Sequence, residues 1–248
     1  MGEPYLTCGP LVFLATNQPI SLMLAEIGRA LALIVSGDTE VWQIASVSFA
    51  VSLTAVSAAL VLGLPLAYGL AASGARGAGI GMWVAHSLAA LPTVVIGLTL
   101  YLVLSASGPL GWTHLLYTRT AMALAQFVLA IPLVVAVVLG ALRRLPPSAS
   151  EALFSHGVTR TRKMGWLLRE VQSAVVSGTF LAFSRAFTEL GAALIVGGNI
   201  RGATRTLTTY VALEYDRGDD TRAIALGLIL LAVALLTNSV MHLFVTER

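Results

Sequence analysis

Long apolar runs separated by short polar punctuation dominate this chain, and their lengths set the expected elements. A helix rises about 1.5 Å per residue, so roughly 20 apolar residues cross a hydrocarbon core. About five runs are long enough. They cover Val41 to Ala72, Ile80 to Ser105, Thr120 to Leu142, Trp166 to Val196 and Thr221 to Val245. Pro65, Pro92 and Pro132 fall inside the first three, with a kink expected at Pro65. Ser73 to Gly79 reads as a flexible connection, and 107–118 as a turn-rich loop with Trp112 and Tyr117 suited to the headgroup region. Arg143-Arg144-Leu145-Pro146-Pro147 stops the third run. Residues 197–220 are polar with a helix-like centre from Leu207 to Tyr215.

The stretch ahead of the first run is different. Residues 20–35 are apolar but short, with Glu26 and Arg29 about one turn apart. This predicts an amphipathic helix at the membrane interface, with a sixth span as the alternative. Ser36-Gly37-Asp38 ends it, and Asp38 or Thr39 can cap the next helix. Residues 1–19 have no basic n-region and do not read as a secretory signal peptide. The chain therefore divides into 1–40, a tail and interfacial helix, and 41–248, a membrane domain.

Composition supports the membrane class. Mean hydropathy is +0.85, and charged residues are only 11% of the chain. The single cysteine, Cys8, excludes a disulfide within the chain. The pI near 9.4 reflects 15 basic against 12 acidic residues, an excess typical of loops flanking spans rather than of a nucleic-acid binder. His86, His114, His156 and His242 have no metal-ligand spacing. No G-x-x-x-x-G-K-[ST] phosphate loop is present, so ATP hydrolysis would need another chain.

One charged stretch stands between apolar runs. Residues 143–170 carry Arg143, Arg144, Arg160, Arg162, Lys163 and Arg169 against Glu151 and Glu170. Within it, Ser148 or Ser150 can cap a helix starting near Glu151, and the small Ala152 and Gly157 allow a partner close to the backbone. The plain alternative is a loop held at the membrane surface by its cations. The stretch Glu151-Ala152, then Gly157, then Trp166 leading into a helix resembles the EAA loop of permease subunits of bacterial ABC importers. Further on, the order R-A-x-x-E-x-G-A over 185–192, then G-G-N-I-R-G-x-T-R-x-L-T-T over 197–209, is similar to oxyanion importers, and to tungstate permeases in particular. The related molybdate permeases usually have Pro within N-I-P-G, and Leu-Pro soon after the coupling helix where this chain has Arg169-Glu170-Val171.

The resemblance covers roughly 21–245 and implies an all-α membrane protein of about five spans in the type I ABC importer permease fold. It implies a coupling helix near 146–165 seated on a cytoplasmic ATPase, with Glu151, Ala152, Phe154, Gly157, Arg162 and Lys163 as coupling residues. It further implies a second copy of this chain, two ATPase subunits that bind ATP and Mg, and an extracytoplasmic oxyanion-binding protein. This chain would hold no cofactor and would sit, multi-pass, in the cell membrane. Molybdate or sulfate is the alternative cargo. A stand-alone secondary transporter is the alternative class, but only Arg185 and Glu189 could serve ion coupling and no inverted repeat is evident.

Orientation follows from charge. The positive-inside rule places 143–170 in the cytoplasm and the N-terminus outside. The 199–222 loop weakens this, because it would lie outside while carrying Arg201, Arg205, Arg217 and Arg222. Within the fourth run, Arg185 and Glu189 share a helix face at i, i+4. They are read as an ion pair facing the bundle interior or, with Ser184, Thr188, Gly197, Gly198 and Asn199, as part of the path or dimer seam. Asn199, Arg201, Thr204, Arg205, Thr208 and Thr209 suit an anion or a binding protein at the outer mouth, or a solvated loop.

Overall fold

The computed structural model of the chain describes residues 20–146 and 159–246. The helices are α1 (Ile20–Val35), α2 (Thr39–Ala72), α3 (Gly74–Ala89), α4 (Thr93–Leu104), α5 (Arg119–Leu142), α6 (Arg160–Glu170), α7 (Gln172–Phe187), α8 (Gly191–Gly197), α9 (Leu207–Arg217) and α10 (Asp220–Thr246), with a 3-10 turn at Gly111–Thr113. No strand occurs among the described residues. Helices α2, α5 and α10 are long and apolar enough to cross a membrane alone, and two bent helix pairs bring the possible spans to five.

Local chemistry sets the helix starts. The Asp38 carboxylate accepts from the amides of Glu40 and Val41, at 2.9 and 3.2 Å, and so caps α2. The Thr118 hydroxyl accepts from the Ala121 amide and caps α5. Helix α2 packs along α5, with α7 closing the other side of α5. Val56, Ala59 and Ala67 of α2 meet Ala130, Val134, Val138 and Leu139 of α5 and Ala182 and Ala186 of α7. The small side chains let the helices approach; a Cβ on Gly63 would stand 3.1 Å from Val134 Cγ1. Many large apolar side chains face outward, among them Leu62, Trp83, Val94, Leu98, Leu102, Leu235 and Leu243, as lipid contact requires. Helix α1 forms where expected and lies against α10.

The structure corrects the sequence at three places. The connection at Ser73 to Gly79 is not a flexible linker: only Ser73 separates α2 from α3, and Gly74, at φ +82°, makes the turn. The second apolar run is not one continuous helix through Pro92. It is α3 and α4, bent by 89° around Ala90 to Pro92. Proline has no amide hydrogen and disfavours helix in the residue before it, and here Pro92 turns extended (φ −61°, ψ 128°) and starts α4. The fourth run is likewise broken. Helix α6 ends at Glu170, and α7 and α8 meet at 59° across Thr188, Glu189 and Leu190. By contrast Pro65 and Pro132 leave α2 and α5 continuous.

Candidate functional site

The two broken spans meet at their breaks. Helix α8 packs on α4, and a Cβ on Gly97 would lie 2.7 Å from the Ala192 Cα, so this contact is backbone against backbone. Gly191, the first residue of α8, is as close to the first turn of α4: its Cβ would stand 2.9 Å from Val94 Cγ2. The ion pair predicted for this region forms, but not along one helix. Arg185 is in the last turn of α7, and Glu189 lies beyond the helix end. Glu189 Oε2 accepts from Arg185 Nη1 at 3.2 Å, and Oε1 accepts from the Ala192 amide at 3.0 Å. Thr208 Oγ1, from the following segment, donates to the Glu189 carbonyl at 2.8 Å. The Glu189 side chain is 2% exposed and that of Arg185 is 40% exposed. The carboxylate thus holds the break together, while part of the guanidinium remains open beside the half-buried Ser184 and the exposed Thr188. Gly197 and Gly198 pack within the chain, the first against Met122 and the second, at φ +67°, against the Tyr117 ring.

Past α8 the chain makes a tight loop, 198–206, and its threonines fasten it. Thr204 is buried; its hydroxyl donates to the Gly197 carbonyl and accepts from the Ile200 amide. The Ile200 carbonyl receives the amides of Ala203, Thr204 and Arg205. Thr206 caps α9 and forms a capping box with Thr209, which is fully buried. Asn199, at φ +50°, donates to the Thr209 carbonyl at 3.3 Å, and its Oδ1 is buried without a partner. Ser48 of α2 accepts from the Leu207 amide at 2.8 Å.

The loop's arginines reach across to other elements. Arg201 Nε meets Glu40 Oε1 at 2.9 Å, and Arg205 Nη1 meets the same oxygen at 3.6 Å. The Arg205 guanidinium also lies 4.9 Å from the Tyr210 ring centre, within cation–π range. Burial, followed by the charges of Glu214 and Glu40, pushes the Tyr210 hydroxyl above its ordinary pKa. Arg119, which starts α5, donates to the carbonyls of Ala203 and Gly202. Arg217 and Arg222 pair with Glu214 and Asp219. The four arginines that weakened the charge argument are therefore all ion-paired. Glu40, at the end of the 1–40 tail, is not among the residues the sequence singles out. The signal for its role was a surplus of arginine in one loop facing acids just before the first span. Thr39, Glu40, Gln43, Ile44, Val47, Arg201, Gly202 and Arg205 enclose a pocket of about 340 Å³.

The charged end lies at the far end of α5, about 36 Å away at helical rise over 24 residues. Glu151, Ala152, Phe154 and Gly157 lie outside the described residues. Arg162 and Lys163 are on α6, with Arg162 exposed and Lys163 half-buried, its pKa lowered by partial desolvation. Leu167 and Val171 anchor this segment in the main core, and Met164 and Leu168 pack against it. Arg143, Arg144, Arg162 and Arg169 are exposed and make no ion pair with the described residues.

The family model for binding-protein-dependent transport system inner membrane components matches residues 59–247. A probable anion ABC transporter permease protein of Haloferax volcanii is 40% identical over 201 residues, covering 79% of this chain and 87% of that one. The tungstate uptake system permease protein TupB of Peptoclostridium acidaminophilum is 36% identical over 213 residues, covering 86% and 93%. The sulfate transport system permease protein CysT of Escherichia coli is 34% identical over 154 residues, covering 59% and 56%. Among solved structures, an amino acid ABC transporter crystallised with histidines superposes with a TM-score of 0.58 at 15% identity, over 94% of this chain and 100% of that one.

Proposed function

This chain belongs to the family of binding-protein-dependent transport system inner membrane components, and on that premise we propose that it is the permease subunit of an ATP-driven importer of tungstate or a similar tetrahedral oxyanion. The observation that carries the reading is similarity, over most of the chain, to permeases named for tungstate and anion uptake. The motif residues agree with it: R-A-x-x-E-x-G-A spans the break between α7 and α8, and the G-G-N-I-R-G segment forms the loop that follows.

In the proposed assembly two copies of the chain face each other across the translocation path. Two cytoplasmic ATPase subunits bind ATP and Mg²⁺ and receive the segment around Glu151, Ala152, Phe154 and Gly157, flanked by Arg162 and Lys163. An extracytoplasmic binding protein delivers the anion to the opposite end, where Arg201, Thr204, Arg205, Thr208 and Thr209 lie. The N-terminus is outside. ATP binding closes the ATPase pair, the coupling segments follow, and access alternates. Ser184, Arg185, Thr188, Glu189, Gly197, Gly198 and Asn199 would flank the path or the seam between the copies.

The test is accumulation of labelled tungstate in cells lacking the chain and complemented with it. Uptake should return with the native chain, stop when ATP is depleted, and fail with Gly157→Trp although the protein still inserts. Uptake that survives ATP depletion and collapses with the ion gradient would instead assign a secondary transporter. Competition by sulfate and molybdate ranks the cargo.

A further inference from the structure

The ion pairs at the Glu40 end leave Arg205 only partly satisfied. Arg205 is 9% exposed, yet its Nε is buried without a hydrogen-bond partner. A buried guanidinium N–H left without an acceptor carries its full desolvation penalty, and that penalty falls when a ligand supplies an oxygen. Glu40 takes Arg201 with both oxygens, Oε1 from Nε at 2.9 Å and Oε2 from Nη2 at 3.1 Å, which leaves Arg205 only a share of Oε1 at 3.6 Å. Asp38 adds a second carboxylate nearby, but the amides of Glu40 and Val41 occupy one of its oxygens. A third guanidinium, Arg119, holds the loop from outside the pocket by donating to the Gly202 and Ala203 carbonyls. The pocket lining thus holds two arginines against one carboxylate, with Thr39 and Gln43 as uncharged polar residues.

We propose that this pocket is a subsite for a tetrahedral oxyanion carrying two negative charges, and that Glu40 is its displaceable counter-ion. The inference rests on the reading of the chain as an oxyanion permease and adds the place where the anion is first held. The incoming anion bridges the guanidiniums of Arg201 and Arg205 in place of Glu40. Charge-assisted contacts from paired guanidiniums suit such an anion better than a single carboxylate does. Glu40 gives way because the Arg201 side chain is 74% exposed, so an anion can approach its guanidinium from solvent and compete with the carboxylate for it. Occupation thereby releases the start of α2 from the 198–206 loop. By reciprocity, whatever loosens that contact favours anion binding.

Calorimetric titration of the full-length chain in lipid-free detergent tests this, with sodium tungstate and sulfate as dianions and perchlorate as a tetrahedral monoanion. Tungstate and sulfate should bind, with perchlorate at least roughly tenfold weaker. Glu40→Gln should tighten dianion binding by roughly tenfold, because the competing carboxylate is gone. Arg201→Gln should weaken it by a similar factor, and its exposure makes it a variant that keeps the fold, checked by an unchanged melting curve. Weaker dianion binding in Glu40→Gln, equal affinity for perchlorate, or no binding in either the native chain or Glu40→Gln overturns the proposal. A short-chain phosphatidylglycerol is the second probe. Tungstate binding that it does not disturb supports a free-anion site, and displacement of tungstate assigns the pocket to a lipid phosphate instead. The outcome separates from the functional reading. Chain-dependent tungstate uptake without dianion binding here sinks only the pocket; sulfate binding without any tungstate uptake sinks only the cargo assignment.

Discussion

The two ends of α5 are built in opposite ways. At the Arg119 end the polar groups bond within the chain. Thr204, Thr206 and Thr209 are buried and bonded to backbone or to one another, and Arg201 and Arg205 reach Glu40 on a different helix. At the Leu142 end they turn outward: Arg143, Arg144, Arg162 and Arg169 are exposed, above a short helix held down by Leu167 and Val171. A chain with so few charges has therefore used them for closure at one end and for display at the other. Buried, mutually satisfied polar groups make a rigid unit. An exposed cation contributes little to a fold and is available to a partner. Stability effects of substitution should accordingly concentrate at one end, and functional effects without stability loss at the other.

The largest stability loss is expected at the break that feeds the closed end. Glu189→Leu removes both the Arg185 pair and the acceptor for the Ala192 amide, leaving that buried N–H unpaired. A cost of about 2–4 kcal/mol follows from losing a charged hydrogen bond together with a helix-start acceptor. It would be read as a large fall in melting temperature in detergent and poor recovery of folded protein. Glu189→Gln, which keeps an acceptor, should recover about half. A Leu variant that melts like the native chain would show that the break is not held by this carboxylate. Next comes Thr204→Val, which keeps the shape and deletes a hydroxyl serving two backbone groups. About 1–3 kcal/mol is expected. Hydrogen exchange at the Ile200 amide should rise by the matching factor, and unchanged protection there would count against the loop being closed by its threonines. Thr206→Ala, the loss of the α9 cap, should cost about 1 kcal/mol and fray α9 without disturbing α2 against α5.

Much of this contrast was legible in the sequence. The apolar runs located the helices, and Arg185 and Glu189 were identified as partners because ionisable groups inside a span need one. The breaks were less visible. Pro92 and Pro132 look alike in sequence, yet one ends a helix and the other is buried within one. The difference lies in tertiary partners. Helix α5 has α2 along one side and α7 along another, so one straight rod satisfies both. Around Pro92 the partners change: α3 lies on α5 and α2, while α4 lies on α8. A bend lets each arm find its own neighbour, and a local pattern carries no information about which neighbour that is. The same reason hid the role of the threonines. T-R-T-L-T-T reads equally well as an open ligand-binding loop or as a self-bonded one. Burial, which depends on Ser48 and Glu40 arriving from α2, decides between them.

The smallest stability effect sharpens the contrast most. Replacing Arg162 and Arg169 together with Gln removes two exposed cations from α6 and leaves Leu167 and Val171 in place. Neither arginine is in an ion pair with the described residues, so the melting temperature should stay within the range of about 0.5 kcal/mol usual for surface changes. If this end is displayed for an ATPase partner, ATP-dependent uptake should nevertheless fall several-fold, and the native chain's recovery of that partner in mild detergent should become more sensitive to salt than the variant's, because screened charges carry the difference. A fall in stability matching the fall in uptake would mean that the arginines hold α6 to its own bundle. Full uptake with an unchanged melt would mean that the cations serve only the membrane surface, as the positive-inside rule alone would have them do.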